Sequence, residues 1–405
     1  MEGHDRTSPF AARLRDIERF HVMEVQERAF QLEAQGRRIV HMEIGQPDFG
    51  APPAVIEAAE RALHSGNLGY TSALGLPALR EALSAFYAER HGVQVPADRI
   101  AITTGASSAF VLALGALVGP GDEVLVPDPC YPCSRHMVSV FGATPKTLPV
   151  DSGTSYQPTA QQVIEGWGPP TRGVMIASPS NPTGTRIGSA ELRAIHGAVV
   201  ARGGFLVVDE IYLGLTHDRP PGAPLESAVA LGDDVIVTNS FSKYFNMTGW
   251  RLGWMVAPPA LLREVEKLAQ NLYVSPPTLS QHAALAAFEP ATLALLEGRR
   301  MEFQRRRDFL VPALRSQGFS LPVNPDGAFY VYADCSRFTT DSARFASEIL
   351  ESAGVALTPG KDFGVHGANA HLRFAYTRSM AELEEGVERL ARAVARQPDR
   401  TSNAG

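Results

Sequence analysis

Lysine is scarce in this chain, since it occurs only at positions 146, 243, 267 and 361 although lysine and arginine together number 37. Cysteine occurs three times, which argues against a disulfide framework and favours a reducing compartment. The sequence lacks an apolar run long enough to cross a bilayer. The N-terminus mixes both signs of charge and lacks the apolar core of a signal peptide. We therefore expect a cytoplasmic protein that does not insert into membranes.

The chain also lacks an excess of positive charge. Its 43 acidic residues outnumber its 37 basic ones, which gives a formal net charge of −6 and a pI near 6.0. This balance provides no electrostatic surface for nucleic acid or for an anionic membrane. Hydrophobic residues make up 44% and charged residues 20%, as in a globular protein. A length of 405 residues is sufficient for two domains.

From residue 100 onward, short β-branched runs alternate with helical patterns. The spacing predicts strands near 100–103, 123–126, 144–149, 173–177, 205–209 and 234–238, with helices near 106–118, 131–141, 158–165 and 189–202. This alternation is typical of a mostly parallel sheet with helices on both faces. We predict an α/β fold with a large central domain.

The two ends of the chain follow a different pattern. Before residue 100 we predict helices at 22–36, 53–64 and 76–91 and a short strand at 39–44. After a strand at 252–256, the pattern predicts helices at 258–272, 277–288, 291–317, 341–353 and 380–396 and strands near 328–332, 355–357 and 371–375. This α+β pattern predicts a second, smaller domain. We place the boundaries at 1–49 for a segment that joins the small domain, 50–288 for the large domain and 289–405 for the small one.

The most informative stretch follows the predicted strand 234–238. Its polar residues lie at the carboxyl end of that strand, where open α/β sheets bind ligands. The hydroxyls of Ser240 and Ser242 and the guanidinium of Arg251 are suited to an anion such as phosphate. Neighbouring positive charges favour a neutral amine at Lys243, and such an amine forms an imine with a carbonyl. Together these residues indicate a site for pyridoxal phosphate (PLP).

Each candidate residue also has an interpretation in which it serves only the fold. For a lysine, that interpretation is a solvated surface charge. Lys267, among charged neighbours, has the pattern of an exposed helix face, whereas Lys243 lies among Ser, Phe and Tyr. Asp209 ends a predicted strand, where it either caps a helix or holds the PLP ring nitrogen protonated. Asn181 lies in a turn rich in Pro and Gly, as a turn former or as a donor to the phenolic oxygen of PLP. Ser107 either caps a helix or binds an anion at its start.

An arginine, a tyrosine and a pair of cysteines are further candidates. Arg373 lies in an otherwise apolar predicted strand, so it forms a buried ion pair or clamps a substrate carboxylate. Tyr131 follows the strand near 123–126, where it is placed to stack on an aromatic cofactor. Cys130 and Cys133 form a C-x-x-C pair, but the sequence has no second half-site for zinc and lacks the context of a redox pair. We expect neither zinc nor redox chemistry from this pair.

Taken in order, these motifs resemble those of the class I and II aminotransferases of PLP fold type I, in the aspartate-aminotransferase-like branch. The matching segments extend over nearly the whole chain and are Gly45-Gln-Pro-Asp-Phe49, Tyr70, Gly75-x-x-x-Leu-Arg80, Thr104-Gly-Ala-Ser107, Pro129-x-Tyr-Pro132, Asn181-Pro-Thr-Gly184, Asp209-Glu-Ile-Tyr212, Ser240-Phe-Ser-Lys243, Gly249-Trp-Arg251, Gly327-Ala-Phe-Tyr330 and Arg373-Phe374. One such motif is weak evidence, but the ordered set is specific.

The resemblance implies roles at the PLP ring. Lys243 would form the internal aldimine and move the proton between the substrate Cα and C4′ of the cofactor. Asp209 would pair with the ring nitrogen, and Tyr131 would stack on the ring. Asn181 and Tyr212 would bind the phenolic oxygen.

The resemblance also implies the groups that bind the phosphate and the substrate. The phosphate would be held by the backbone of Ala106 and by the side chains of Ser107, Ser240, Ser242 and Arg251. Tyr70 would reach the phosphate of a neighbouring subunit, which implies a homodimer. Arg373 would clamp the α-carboxylate of the substrate, with Asn181 and the backbone of Gly45 beside it.

The sequence says less about the substrates. Relatives that use aspartate generally add a basic residue for its distal carboxylate, and the helix at 106–118 carries no lysine, which disfavours a dicarboxylate. Phe20, Ile44 and Tyr330 are candidates for an apolar pocket.

We expect a transaminase that transfers an amino group from an L-amino acid to a 2-oxo acid by ping-pong turnover. PLP lyases and synthases of the β-C–S lyase or aminocyclopropane-carboxylate synthase type share these motifs. The motifs therefore do not separate them from transaminases, and this alternative stays open. A PLP-binding regulator is not expected, because only about 40 residues precede Gly45, where such proteins carry a DNA-binding domain.

Overall fold

The structure is a computed structural model that describes residues 10–396. Its α-helices are α1 His21–Ala34, α2 Pro53–Ser65, α3 Pro77–Phe86, α4 Ala106–Leu117, α5 Pro132–Val140, α6 Ala160–Gly166, α7 Ser189–Val200, α8 Pro259–Leu272, α9 Thr278–Ala284, α10 Pro290–Ser316, α11 Ser342–Ala353 and α12 Met380–Val394. Its strands are β1 Val40–His41, β2 Ile100–Thr103, β3 Glu123–Asp128, β4 Thr144–Pro149, β5 Thr171–Ala177, β6 Phe205–Asp209, β7 Ile236–Ser240, β8 Gly253–Val256, β9 Tyr330–Asp334, β10 Val355–Ala356, β11 Thr358–Pro359 and β12 His371–Ala375. Most predicted elements are confirmed to within a few residues.

The central sheet has seven strands in the order β2-β8-β7-β6-β5-β3-β4. Strand β8 runs antiparallel to both of its neighbours, and the other adjacent pairs are parallel. The predicted mostly parallel α/β sheet is therefore confirmed. The register pairs Asp209 with Ala177 on one side and with Thr238 on the other. The ends of β5, β6 and β7 thus meet at one edge of the sheet, where ligands bind in this architecture.

Both faces of this sheet are buried. Leu206 and Val208 of β6 pack into one hydrophobic cluster, whereas Val207 between them packs into a second cluster. Side chains alternate between the two faces of a strand, so each cluster covers one face. This arrangement explains why these strands read as continuous apolar runs in the sequence.

A segment before the large sheet pairs with segments that follow it in the sequence. Strand β1 pairs in parallel with β10, with Val40 opposite Val355, and strands β11, β12 and β9 form an antiparallel sheet in that order. The amide of Ala375 also donates to the carbonyl of Met42 at 2.7 Å. These contacts agree with grouping the N-terminal segment with the C-terminal part, while the boundaries at 49 and 288 stay a prediction.

Two predicted elements differ in form. The expected strand at 39–44 is a regular strand only over Val40–His41, because the carbonyls beyond His41 accept hydrogen bonds from side chains and from single amides of other segments. The expected helix at 76–91 is α-helical to Phe86 and continues as a π turn over Tyr87–His91. Among residues 10–396, no helix has the length and apolar character needed to span a membrane.

Candidate active site

A cavity of about 290 Å³ opens at the carboxyl ends of the central strands. Its walls combine the ends of β6 and β7, the start of α4, residue 373 of β12 and the first turns of α1. The lining residues are Phe20, Val22, Met23, Gln26, Ile44, Gly45, Gln46, Ala106, Ser107, Phe110, Tyr131, Ala177, Asn181, Asp209, Ile211, Tyr212, Ser240, Ser242, Lys243, Thr248, Arg251, Tyr330 and Arg373. Every residue that the sequence predicted for the site is therefore brought to this cavity except Tyr70.

Lys243 follows β7 and places its amine inside the cavity. Its Nζ donates to the carbonyl of Gly45 at 2.6 Å and lies 6.0 Å from the ring centroid of Tyr212. Burial, together with the guanidiniums of Arg373 and Arg251, lowers the pKa of Lys243 from 10.5 to about 8. This amine therefore loses its proton more readily than an ordinary lysine, which favours its action as a nucleophile. Lys243 is not a solvated surface lysine.

Asp209 is a buried carboxylate at the end of β6. Its Oδ1 accepts hydrogen bonds from the amide of Ile211 at 3.1 Å and from the hydroxyl of Thr238 at 3.2 Å. Burial raises the pKa of Asp209 to about 7, although both hydrogen bonds oppose the shift. The N-cap position of the next helical turn is Tyr212, so Asp209 is not a helix cap.

Ser240, Ser242 and Arg251 form a polar corner of the cavity. The Ser240 hydroxyl lies 2.9 Å from that of Ser242 and 3.0 Å from the amide of Ser242. Arg251 has a positive φ of 52°, and its Nη1 donates to the carbonyl of Thr248 at 3.1 Å. A side chain on Gly105 would place its Cβ 2.8 Å from Nη2 of Arg251, so glycine at 105 keeps space for the guanidinium.

The start of α4 lies in the same corner. The helix begins at Ala106 with Gly105 as its N-cap and no side-chain cap. Ser107 is therefore not the helix cap, and both Ala106 and Ser107 line the cavity. Amides at the first turn of a helix lack partners within the helix and attract anions.

Arg373 is only 4% exposed and is held at both ends of its guanidinium. Nη1 donates to Oδ1 of Asn181 at 2.9 Å, and Nη2 donates to the carbonyl of Glu43 and to the hydroxyl of Thr358. Its Nε is buried without a partner in the described part of the chain. Within residues 10–396 Arg373 has no carboxylate partner, so the predicted alternative of a buried ion pair is wrong. Because Arg373 lines the cavity, its guanidinium suits a ligand carboxylate.

Aromatic side chains close the cavity. The hydroxyls of Tyr212 and Tyr330 lie 2.9 Å apart, and burial raises the pKa of Tyr212 well above its ordinary value, so its phenol stays neutral. The ring of Tyr131 meets that of Phe20 edge-on at 6.2 Å. A Cβ on Gly45 would lie 1.9 Å from the hydroxyl of Tyr330, which explains the glycine at this position.

Helix α1 contributes residues that sequence reasoning missed. Val22, Met23 and Gln26 line the cavity, but their helical spacing looks the same as that of an ordinary amphipathic helix. The only available signal was the predicted pairing of the N-terminal segment with the small domain. Outside the cavity, Tyr70 is 85% exposed.

Cys130 and Cys133 are buried and free. No cluster of His, Cys, Asp and Glu able to hold a metal ion occurs among the residues that the structure describes.

The sequence pattern of the family described as aminotransferase class I and II matches residues 37–390. The chain belongs to this family. The valine–pyruvate aminotransferase of Mycobacterium tuberculosis is 42% identical to it over 372 residues, which are 92% of this chain and 95% of that protein. The aspartate/prephenate aminotransferase of Thermus thermophilus is 34% identical over 377 residues, 92% of this chain and 95% of that protein.

Solved structures agree with this assignment. The crystal structure of an aminotransferase from Mycobacterium tuberculosis superposes with a TM-score of 0.92 at 41% identity, covering 96% of this chain and all of that one. The chain is thus an aminotransferase that transfers an amino group to a 2-oxo acid, as predicted. The alternative of a lyase or synthase is not favoured by these relatives.

The Asp209→Asn variant of the coenzyme-free chain tests the environment of this carboxylate. Because the folded chain holds the proton up to a pKa of about 7 instead of 3.8, it binds more protons than the unfolded chain between these values. Its stability therefore falls as the pH rises from 4 to 7. In urea unfolding, the free energy of unfolding of the variant should increase relative to that of the wild type as the pH rises from 4 to 7. Above pH 7 the difference between the two should stay constant. A constant difference would contradict a raised pKa at Asp209.

Proposed function

We propose that the cavity binds PLP and that Lys243 is the lysine that carries it. The residues present fit the chemistry of this group. The corner formed by Ser240, Ser242, Arg251 and the start of α4 offers hydroxyls, a guanidinium and free amides to a phosphate. The space beside Arg251 that a Cβ at Gly105 would fill supports this assignment.

Asp209 fits a protonated ring nitrogen. Both hydrogen bonds to Asp209 fall on Oδ1, which leaves Oδ2 as the acceptor for a ring N–H. When bound, PLP supplies an aldehyde that condenses with amines and a ring that takes up the electron pair left at the substrate Cα. Asp209 holds the proton on the ring nitrogen. Asn181 and Tyr212 supply donors to the phenolic oxygen, and Tyr131 stacks against the ring.

The chain's own groups then carry the proton and position the substrate. With its lowered pKa of about 8, the amine of Lys243 accepts a proton from the substrate Cα and returns it. Arg373 binds the α-carboxylate through its guanidinium, which lines the cavity, with Asn181 and the backbone of Gly45 beside it. Because the same cavity serves the amino acid and the 2-oxo acid in turn, turnover is ping-pong.

Replacing Lys243 by Ala should lower turnover by about 1,000-fold or more, because it removes both the covalent attachment and the proton carrier. The visible absorbance of the PLP-loaded protein should be lost as well. Lys267→Ala is the matched control, because Lys267 is exposed and pairs with Glu264. Borohydride reduction followed by peptide mass analysis should label Lys243 in the wild type; a label on another residue would contradict the proposal.

We infer that the preferred substrates have neutral, mainly apolar side chains. The charged residues among those that line the cavity are Asp209, Lys243, Arg251 and Arg373, and each has a role at the cofactor or the α-carboxylate. The remaining wall is apolar around Phe20, Val22, Met23 and Ile44, with the amides of Gln26 and Gln46. The relative named for valine and pyruvate supports the same class.

A donor screen tests this preference. With pyruvate as acceptor, kcat/KM for valine, leucine or methionine should exceed that for aspartate or lysine by about tenfold or more, because the side-chain pocket offers a second charge no partner. The donors are compared at equal concentration by following alanine formation. A preference for aspartate would contradict a neutral pocket.

We propose a homodimer with shared active sites. Tyr70 is 85% exposed, yet its loop is tied down. The carbonyl of Gly69 accepts from the hydroxyl of Thr278 at 2.7 Å, and Thr71 accepts from Gln281 at 3.1 Å. An exposed aromatic on an anchored loop is suited to an interface, and Tyr70 would complete the phosphate site of a second copy.

Mixing Tyr70→Phe chains with Lys243→Ala chains tests this sharing. If Tyr70 acts across the interface, each mixed dimer has one intact site, so about a quarter of all sites should regain wild-type turnover after unfolding and refolding together. If Tyr70 acts within its own chain, every site stays defective and no activity returns. The two unmixed variants, refolded in the same way, are the controls.

We further propose a cytoplasmic location, in keeping with three cysteines that are buried and unpaired.

We also propose that residues 1–49 and 289–405 act together as the small domain, with 50–288 as the large one.

A further inference from the structure

The segment 41–45 holds both of the cations that meet the substrate. Each of its five successive carbonyls accepts a hydrogen bond: His41 from Arg378, Met42 from Ala375, Glu43 from Arg373, Ile44 from Thr377 and Gly45 from Lys243. Two of these donors are Lys243 and Arg373, which the proposed function places at the cofactor and the α-carboxylate. The backbone of this segment therefore fixes the position of both side chains.

Within this segment Glu43 is a fully buried carboxylate. Its Oε1 lies 2.7 Å from Nδ1 of His41, whereas Oε2 is buried without a partner in the described chain. Burying a carboxylate is costly unless a charge or donor compensates it. His41 supplies that compensation, so the side chain of Glu43 is tied to a single partner.

His41 in turn connects this pair to α1. Its Nε2 lies 3.1 Å from Oε1 of Glu33 near the end of α1, and its ring lies 5.8 Å from that of Phe30 on the same helix. The first turns of α1 contribute Val22 and Met23 to the cavity wall. The Glu33–His41–Glu43 chain therefore links the helix that lines the cavity to the carbonyl that holds Arg373.

We propose that Glu43 and His41 are positioning residues for substrate binding: their contact holds the peptide of residue 43 so that its carbonyl keeps Arg373 oriented toward the α-carboxylate. The inference rests on the proposed function. Of the acceptors that hold the guanidinium, Asn181 and Thr358 use their side chains, whereas Glu43 uses its backbone. A shift of that peptide would move the acceptor of Nη2 and so rotate the guanidinium away from the α-carboxylate.

The charge on His41 contributes to this arrangement. The charged groups that face it are Glu33 of α1, Glu43 of its own segment and Arg378 before α12. Burial by itself lowers the pKa of His41, but the two carboxylates raise it above its ordinary value. The imidazolium is therefore present at low pH and lost as the pH rises through the raised pKa.

The test compares Glu43→Gln, His41→Gln and the double variant as PLP-loaded enzymes. Glu43→Gln keeps the size and the backbone carbonyl but removes the charge. We expect KM for both amino acid and 2-oxo acid to rise about tenfold in each single variant, with kcat changed by less than about twofold. The double variant should be no worse than either single one, because both changes remove the same interaction between the carboxylate and the imidazolium.

His196→Gln is the matched control, because Nε2 of His196 contacts Asp234 at 2.9 Å outside the cavity. Its KM should equal that of the wild type. A second readout is the pH profile: KM of the wild type should rise relative to that of His41→Gln as His41 loses its proton, whereas the other titrating groups of the cavity act on both proteins alike. Unfolding midpoints of the coenzyme-free chains show whether stability accounts for the effect.

Two results would overturn the inference. One is an unchanged KM in Glu43→Gln, even if His41→Gln fails to fold. The other is a parallel loss of kcat, PLP affinity and stability, as expected of a purely structural pair. Arg373→Ala and Lys243→Ala separate this outcome from failure of the proposed function. If these two behave as an α-carboxylate clamp and a PLP lysine while Glu43→Gln matches the control, the positioning role alone is wrong.

Discussion

An imbalance of charge governs the cavity of this aminotransferase. Lys243, Arg251 and Arg373 line it together with one carboxylate, Asp209. Positive charges brought together away from water repel one another, and the pKa of Lys243 falls to about 8 as a result of burial and of its two arginine neighbours. The excess charge suits two anionic groups, a phosphate near Arg251 and a carboxylate near Arg373. Burial and this repulsion together make the amine easier to deprotonate, which prepares it for nucleophilic attack.

The fold produces this imbalance by bringing together parts of the chain that are far apart in sequence. The central sheet supplies Asp209 at the end of β6 and Ser240 at the end of β7, because parallel strands end at the same edge. Arg373 comes from β12 in the antiparallel sheet. The segment around Gly45 connects the two, since its carbonyls accept from Lys243 and Arg373. Substrate recognition therefore depends on how this segment is held as much as on the sheet.

The sequence was sufficient where a residue's role follows from its own element. Strand β6 was predictable from an apolar run that ends in Asp209, and the anion corner was predictable from small hydroxyls and an arginine after β7. It was insufficient where the role depends on a distant neighbour. The residues around Gly45 in the sequence do not indicate that a Cβ at this position would lie 1.9 Å from the Tyr330 hydroxyl. The sequence of α1 likewise does not identify Met23 as a cavity residue. Contacts between distant segments leave no local periodicity to detect.

The adjacent carboxylates Asp209 and Glu210 show why geometry, and not acidity alone, identifies a site. Burial raises the pKa of both to about 7. Glu210 is satisfied by the hydroxyl of Ser227 at 2.7 Å and the amide of Ala228 at 2.6 Å, so it anchors a loop. Asp209 lines the cavity and receives its hydrogen bonds on one oxygen only. Perturbed acidity is shared by structural and functional groups; what separates these two neighbours is that only Asp209 lines the cavity and keeps an oxygen free for a ligand.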